Sequence, residues 1–292
     1  MILRDAITYY RDKLKNASIE DPQLNAEWIF CDVLGVNRAE LLLRLADANF
    51  LLSGSTLSKI ESYIERRAKR EPLQYILGNT SFCGIEFYTQ KGVLVPRPET
   101  ELLAEAGWDF LNNKKKADTL SVLDYCTGTA CISISLAIHC PTACFTAIDI
   151  SEDALDVAKK NIDKHALNER FNLLKGDSVL TGSEYGPFDL VVSNPPYIPT
   201  GEISKLEPEV SVYEPVIALD GGEDGLKFFH HLACLGAMVL KNDGVLMAEF
   251  GDNQFPLIKE IFKQQGWRTI SSRKDYSGRE RFFVASYRGY IE

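Results

Sequence analysis

The stretch Val191-Val192-Ser193-Asn194-Pro195-Pro196-Tyr197-Ile198-Pro199 places a set of chemically useful groups at the end of the apolar run FDLVVS. The Asn194 side chain offers an oxygen that accepts hydrogen bonds. Pro195 offers a backbone carbonyl. Neither Pro195 nor Pro196 has a backbone N–H, and both fix φ, so the loop holds that carbonyl rigidly with no competing donor beside it. Tyr197 adds a flat aromatic face. Asn-Pro also marks turns, and a rigid turn after a strand is the alternative reading of these residues.

Three more candidates fall where strands end. The loop DYCTGTAC leaves one strand, Asp149 ends the next, and Asp177-Ser178 ends a third. In open parallel sheets, ligands sit beyond the carboxyl ends of the strands, and an acid at the end of the second strand is placed to accept both hydroxyls of a ribose. The loop is not a clean G-x-G-x-x-G and lacks a P-loop lysine, so phosphate cradling explains it poorly. Its small side chains at a helix start suit a nucleoside carrying an amino-acid tail. A single strand-end Asp also reads as a helix cap; the ordered recurrence along one sheet carries the weight.

The elements that must position these residues are legible in the periodicity. From residue 1 to about 75 the pattern is helical, with Leu24, Trp28 and Cys31 on one face and Gly35 as a C-cap. Ser53 or Ser55 caps a helix carrying Leu57, Ile60 and Ile64, which Pro72 ends at about Glu71. Phe82, Ile85, Phe87, Val93 and Val95 suggest a short hairpin or extended connector, turning at Gly84 and Gly92. Pro98 opens a helix through ETELLAEAGWDFL, and NNKKKAD is a polar loop. Strands and helices then alternate: LSVLDYC, a helix over about Thr129 to His139, CFTAIDI, a helix capped by Ser151, RFNLLKGD, FDLVVSN, DGLKFFHHLACLGAMVL, GVLMAEF, NQFPLIKEIFKQQG, and a closing pair WRTISSR and ERFFVASY. Such alternation implies an α/β fold with a mostly parallel sheet covered on both faces.

The 292 residues carry a net charge of −9. That balance disfavours nucleic acid as the main partner, because phosphate neutralisation needs clustered Lys and Arg. Arg66, Arg67, Lys69 and Arg70 form one basic cluster, which reads as the solvated end of a helix. The N-terminus lacks the h-region of a secretion signal, and no apolar run approaches the ~20 residues that span a bilayer. Seven cysteines without small-domain disulfide spacing suggest a reducing cytoplasm and thiols used as core residues.

On the strength of SNPPY following such a sheet, the chain resembles the S-adenosylmethionine-dependent amino-nitrogen methyltransferases. More narrowly, it resembles the bacterial N5-glutamine methyltransferases that modify class I peptide chain release factors. EPLQYILG, VLVPRPETELL, VLDYCTGTACISISLA, AIDISEDALDVAKKN, FDLVVSNPPYI, YEPVIALDGGEDGL, MAEFGDNQ and DYSGRERF have counterparts in that family, in order. The resemblance implies a Rossmann-like class I methyltransferase domain with a mostly parallel seven-stranded sheet, plus a small N-terminal helical domain. The expected divisions are a substrate-recognition domain over residues 1–78, a hairpin linker over 79–97 and the methyltransferase domain over 98–292. S-adenosyl-L-methionine is the implied cofactor and class I release factors are the implied partners, with the glutamine of their Gly-Gly-Gln loop as methyl acceptor; no nucleic acid or membrane partner is expected. By the same resemblance, Cys126, Thr127, Gly128, Thr129 and Ala130 wrap the methionine tail, Asp149 binds the ribose, and Asp177 with Ser178 flanks the adenine. Asn194, also counted with the cofactor residues, joins Pro195, Pro196 and Tyr197 in holding the substrate glutamine. Arg97, Glu99, Thr100 and Glu101 lie near the same cleft, or else form an ordinary helix start with first-turn acids.

An amide nitrogen is a poor nucleophile because its lone pair is delocalised. Two acceptors aimed at its hydrogens, Asn194 Oδ1 and the Pro195 carbonyl, fix its position and leave more lone-pair density facing the donor. In-line transfer from a sulfonium then needs mostly positioning and desolvation, with no metal or covalent intermediate.

The chain departs from the family at the first loop, where Asp-Leu-Gly-Thr-Gly-Ser-Gly is usual. Cys126 and Ala130 replace two glycines, which adds bulk, and strain if φ is positive. Ser178 stands where relatives can have an aromatic. Zinc is a poor explanation for Cys126, Cys131, Cys140 and Cys144, since Cys131 and Cys140 lie about 13 Å apart on one helix. Adjacent His230 and His231 face different ways on a helix, which favours packing or solvent exposure over chelation. Two further functions stay open: an adenine N6-methyltransferase acting on a flipped DNA base, and a binding protein that keeps the fold but methylates nothing.

Overall fold

Apolar residues at helical spacing build the first part of the chain. The computed structural model describes residues 1–114, 119–275 and 277–287, so Lys115 to Asp118 of the expected polar loop and Tyr276 of DYSGRERF lie outside the described residues. Helix α1 (Leu3–Asn16) buries Leu3, Ile7, Tyr10 and Leu14. It is followed by α2 (Pro22–Leu34), α3 (Arg38–Ala46), α4 (Gly54–Ala68) and α5 (Leu73–Leu77). Local caps set the boundaries: Gly35 ends α2 in the left-handed region, Asn37 and Glu40 form a reciprocal capping box on α3, and Ser53 accepts from Thr56 N at the start of α4.

Three expectations here need correction. Leu24 and Trp28 do not face the core; they are 37% and 45% exposed, and α2 buries Ala26, Ile29 and Phe30 with Cys31. Apolar side chains surround this helix, so periodicity alone does not choose its inward face. Helix α4 stops at Ala68 rather than Glu71, because the chain already turns at Arg70, whose φ is +69°. The basic cluster is not a solvated helix end. Arg67 is only 7% exposed, and it donates to Asn25 Oδ1, the Glu71 carbonyl and Glu209 Oε1. Arg66 pairs with Glu71, and Arg70 with Glu207 and Glu209. The segment Glu207–Tyr213 clusters with residues Met1–Asn79 as one compact unit, which is how these distant acids come to neutralise the arginines.

The second unit comprises Thr80–Leu206 and Glu214–Glu292. It opens with a hairpin of β1 (Asn79–Phe82) and β2 (Ile85–Tyr88), turning through Cys83 and Gly84, both at positive φ. Val93 and Val95, expected in a short hairpin or extended connector, are buried in the connecting segment after the hairpin. The elements that follow are α6 (Pro98–Asn113), β3 (Ser121–Tyr125), α7 (Cys131–His139), β4 (Cys144–Asp149), α8 (Glu152–Lys164), β5 (Phe171–Lys175), β6 (Phe188–Ser193), α9 (Pro208–Ser211), which belongs to the first unit, α10 (Lys227–Val239), β7 (Leu240–Glu249), α11 (Phe255–Gln264), β8 (Thr269–Lys274) and β9 (Glu280–Ser286). Seven strands pair in the order β5-β4-β3-β6-β7-β9-β8; the first five are parallel, and β9 is antiparallel to both β7 and β8.

Alternation along the strands divides the core into two layers. Val122, Leu190 and Val192 pack on one face with α6, α7 and α8, whereas Leu123 and Val191 pack on the other with α10 and α11. Both faces are covered, as near-continuous apolar strands require.

Removing one partner of a buried ion pair leaves the other charge uncompensated. Arg67→Ala should therefore lower the unfolding free energy of the helical unit by roughly 2–3 kcal/mol, the scale of lost hydrogen bonds to charged groups. A urea midpoint equal to that of the parent protein would contradict this account.

Candidate active site

The site begins where the strand order reverses. β3 lies between β4 and β6, with Tyr125 opposite both Ile148 and Ser193. The chain leaves β4 and β6 in opposite directions around β3, and a crevice opens beyond the carboxyl ends of these strands. The loop after β3 turns sharply: Cys126, Gly128 and Ala130 have φ of +62°, +57° and +61°. Ala130 is the N-cap of α7, so that helix starts at Cys131, two residues later than expected. Thr127 N donates to the Ile148 carbonyl, Gly128 N to Asp149 Oδ2 and Ala130 N to the Thr127 carbonyl. Beneath the loop, Thr127 Oγ1 donates to Asp124 Oδ2 at 2.6 Å. Among the described residues, Asp124 Oδ1 is buried without a partner in bonding geometry, although Ser133 lies near it. Burial raises this carboxyl to about 6, with the Thr127 and Ser133 contacts opposing.

Asp149 ends β4, with Oδ2 accepting from Gly128 N and Oδ1 from Ser151 N, both at 2.9 Å. Burial pushes its pKa up and these backbone donors pull it down. Ser178 caps the turn after β5 by accepting from Leu180 N. Tyr125 O–H donates to the Asp177 carbonyl at 2.7 Å.

At the end of β6, Asn194 Nδ2 donates to Thr100 Oγ1 at 3.1 Å, and Thr100 Oγ1 donates to Glu249 Oε2 at 2.6 Å. Asn194 Oδ1 has no hydrogen-bond partner among the described residues. Pro195 and Pro196 are buried. Tyr197 O–H donates to Glu249 Oε1 at 3.0 Å, and burial, then Glu249, holds the phenol pKa well above its usual range. The strand exit is pinned by Ile198 N to the Leu219 carbonyl, Gly221 N to the Ile198 carbonyl and Gln254 Nε2 to the Tyr197 carbonyl. Gly221 permits this approach: a Cβ there would stand 2.8 Å from Tyr197 Cα.

A cavity of about 760 Å³ lies in this crevice. Of the sequence-predicted residues, Cys126, Gly128, Asp149, Asp177, Ser178, Asn194 and Pro196 line it. Thr127, Thr129, Ala130, Pro195 and Tyr197 do not; the first three are buried under the loop. Of the PRPETE residues, Thr100 alone reaches Asn194. Arg97 pairs with Glu214, Glu101 accepts from Cys83 N, and Glu99 is exposed. Sequence reasoning missed an aromatic wall. His231 lines the cavity with Phe228 and stacks on Tyr125, centroids 5.6 Å apart and planes 14° from parallel. Its Nε2 accepts from Val179 N, and burial lowers its pKa. One signal was available: His231 lies one helical turn from Phe228.

These features agree with the comparisons. The family model described as PrmC N-terminal domain matches residues 5–78, and that for the methyltransferase small domain matches residues 101–207. The chain is 38% identical over 281 residues to the release factor glutamine methyltransferase of Caulobacter vibrioides, covering 96% of this chain and 95% of that protein. The chain belongs to the release factor glutamine methyltransferase family. The family member of Clostridium acetobutylicum is 35% identical and covers 98% of each chain. A solved methyltransferase from Pyrococcus furiosus, 20% identical, superposes with a TM-score of 0.52 over 77% of this chain and 99% of that one, a likeness of fold.

In this member of the release factor glutamine methyltransferase family, Cys126 and Ala130 both take left-handed φ, the strain expected of side chains bearing a Cβ there. The raised Asp124 carboxyl beneath them has a measurable sign. Its folded pKa of about 6 exceeds the ordinary 3.8, so the folded state holds the proton more tightly. The resulting stability is fully present below about pH 4 and is lost as pH rises through 6. At pH 7 the buried charge costs about 3 kcal/mol. Urea midpoints at pH 7 and pH 4.5 should converge for the parent and Asp124→Asn as pH falls, with the variant the more stable at pH 7. Parallel pH dependence in the two proteins would refute this.

Proposed function

We propose that this enzyme transfers a methyl group from S-adenosyl-L-methionine to the side-chain amide nitrogen of the glutamine in the Gly-Gly-Gln loop of class I release factors, in the cytoplasm. The observation that carries the reading is the placement of Asn194 on the wall of the cavity, its Nδ2 engaged by Thr100 and its Oδ1 unengaged. Full-length membership of the release factor glutamine methyltransferase family supports it. The helical unit over residues 1–79 would recognise the release factor.

The cavity suits the cofactor. Its volume lies in the usual range for small-ligand sites. The Asp149 carboxylate stands on its wall with lone pairs to spare for ribose hydroxyls, and Phe228 and His231 offer flat surfaces to a purine. Cys126 and Gly128 would approach the methionine tail, with Asp177 and Ser178 beside the base. When bound, S-adenosyl-L-methionine supplies an electrophilic methyl on a sulfonium.

The chain's own residues bind, orient and dry the acceptor. Asn194 Oδ1 and the Pro195 carbonyl accept the two amide hydrogens, which fixes the nitrogen and turns lone-pair density toward the methyl. Pro195 and Pro196 hold that carbonyl without a competing N–H. Tyr197, tied to Glu249, would flank the amide plane. Positioning and desolvation supply the acceleration.

Purified, unmodified release factor incubated with the enzyme and S-adenosyl-L-methionine should gain one methyl, mapped by mass spectrometry to the glutamine of the Gly-Gly-Gln loop. Asn194→Ala should lose most transfer, on the order of 100-fold or more for a misplaced acceptor, with cofactor affinity by calorimetry nearly unchanged. A methyl on adenine in duplex DNA, and none on the release factor, would replace this reading with the DNA one.

A further inference from the structure

Glu249 closes β7 in the stretch MAEFG, a motif that the function above leaves unused. Its carboxylate is 3% exposed, does not line the cavity, and has both oxygens taken up by protein donors, so it acts on a substrate only through other groups. Yet it gathers groups from two other elements: Thr100 in the first turn of α6 and Tyr197 beyond β6.

The direction of these bonds matters more than their number. An ionised carboxylate only accepts, and a hydroxyl has one proton to give. Thr100 gives its proton to Glu249 Oε2, so Thr100 Oγ1 is left as an acceptor. The 3.1 Å contact to Asn194 must then run from Nδ2–H to Oγ1, which turns Oδ1 to the other side. Tyr197 gives its proton to Oε1, so neither carboxylate oxygen is left without a donor. The chain of donation runs Asn194 to Thr100 to Glu249, and its polarity is set at the carboxylate.

We propose that Glu249 is a positioning residue which, through the Thr100 hydroxyl, determines that Asn194 presents its oxygen and not its amino group to the acceptor amide. The proposal rests on the role given to Asn194 above. A neutral Glu249 carries a proton of its own and can donate to Thr100. The Thr100 proton is then free to turn to Asn194, and the amide can rotate by half a turn. Asn194 would then offer hydrogens to the hydrogens of the substrate amide, and the acceptor pair would be lost.

The groups facing Glu249 are Thr100 and Glu99 from α6, Tyr197 from the β6 exit and Arg281 from β9. Burial and Glu99 favour its neutral form, whereas Thr100, Tyr197 and Arg281 favour the charged one; the balance lies above the ordinary carboxylate value. Transfer should therefore be full above the folded pKa of Glu249 and fall as pH drops through it.

The test measures single-turnover methyl transfer to purified release factor, together with calorimetric affinity for S-adenosyl-L-methionine, for Thr100→Val, Thr100→Ser, Glu249→Gln and Asn194→Ala. Thr100→Val keeps the shape and removes the relay; its transfer rate should fall roughly 10- to 100-fold with cofactor affinity unchanged, while Thr100→Ser retains the parent rate. The acidic limb of the parent's rate profile should be missing in Glu249→Gln, which cannot titrate there. If Thr100→Val turns over like the parent while Asn194→Ala is inactive, the proposal fails and the role of Asn194 stands. Should Asn194→Ala itself turn over normally, the functional reading fails and takes the proposal with it. If Thr100→Val does not fold, the profile of Glu249→Gln decides, and persistence of the parent's acidic limb overturns the proposal.

Discussion

Parallel pairing of β3 with neighbours on both sides is the constraint from which the rest of the catalytic unit follows. Because β4 and β6 run in register with β3, all three strands end at the same level. Chain leaving β4 and chain leaving β6 must diverge, since each strand continues into a different part of the sheet. The gap between them cannot be closed by backbone, and it becomes the cavity. Most groups assigned a chemical task stand at or just beyond the carboxyl ends of the parallel strands, joined by Thr100 from α6 and by Phe228 and His231 from α10. The same pairing forces a tight exit from β3, which is why three alternate residues adopt left-handed φ there.

Much of this was legible from particular residues. The apolar runs around Val122, Leu190 and Val245 are too continuous for a half-solvated strand, and helices between them leave only a covered parallel sheet. Asn194 and Asp149 were found because strand ends in such sheets are privileged positions, so their chemistry and place could be judged together. Ser53, one of the two caps expected for α4, shows how a single cap residue sets a helix start once the pattern is known.

What stayed hidden has a common cause. Periodicity ranks faces of a helix only when the faces differ, and α2 carries apolar side chains nearly all round. A run of arginines reads as solvated unless its acids are seen, and those of Arg67 and Arg70 lie about 140 residues downstream. Tyr125 and His231 meet across 106 positions, and Asn161 ties Tyr88 to the Thr129 carbonyl with both ends of its amide. Thr100 belonged to a helix start by every local sign. Its partner Glu249 is 149 residues away, and only the fold brings a buried acid above that first turn. Local physics reaches as far as caps and turns; long-range polar contacts are settled by topology.

The excursion of Glu207–Tyr213 out of the sheet-bearing unit changes what a domain means in this protein. Arg67, Arg70 and the Lys69 carbonyl meet Glu209, Glu207 and Tyr213, so the helical unit is completed by seven residues encoded far from the rest of it. The two units are interleaved along the gene. A recombination event with one crossover, at the hairpin, would transplant the helices without the acids that neutralise their arginines. It would equally leave the recipient sheet carrying a short acidic strap with nothing to hold. Inheritance of the helical unit and of the sheet-bearing unit is therefore linked, and a hybrid assembled from two such proteins must exchange the strap with the helices.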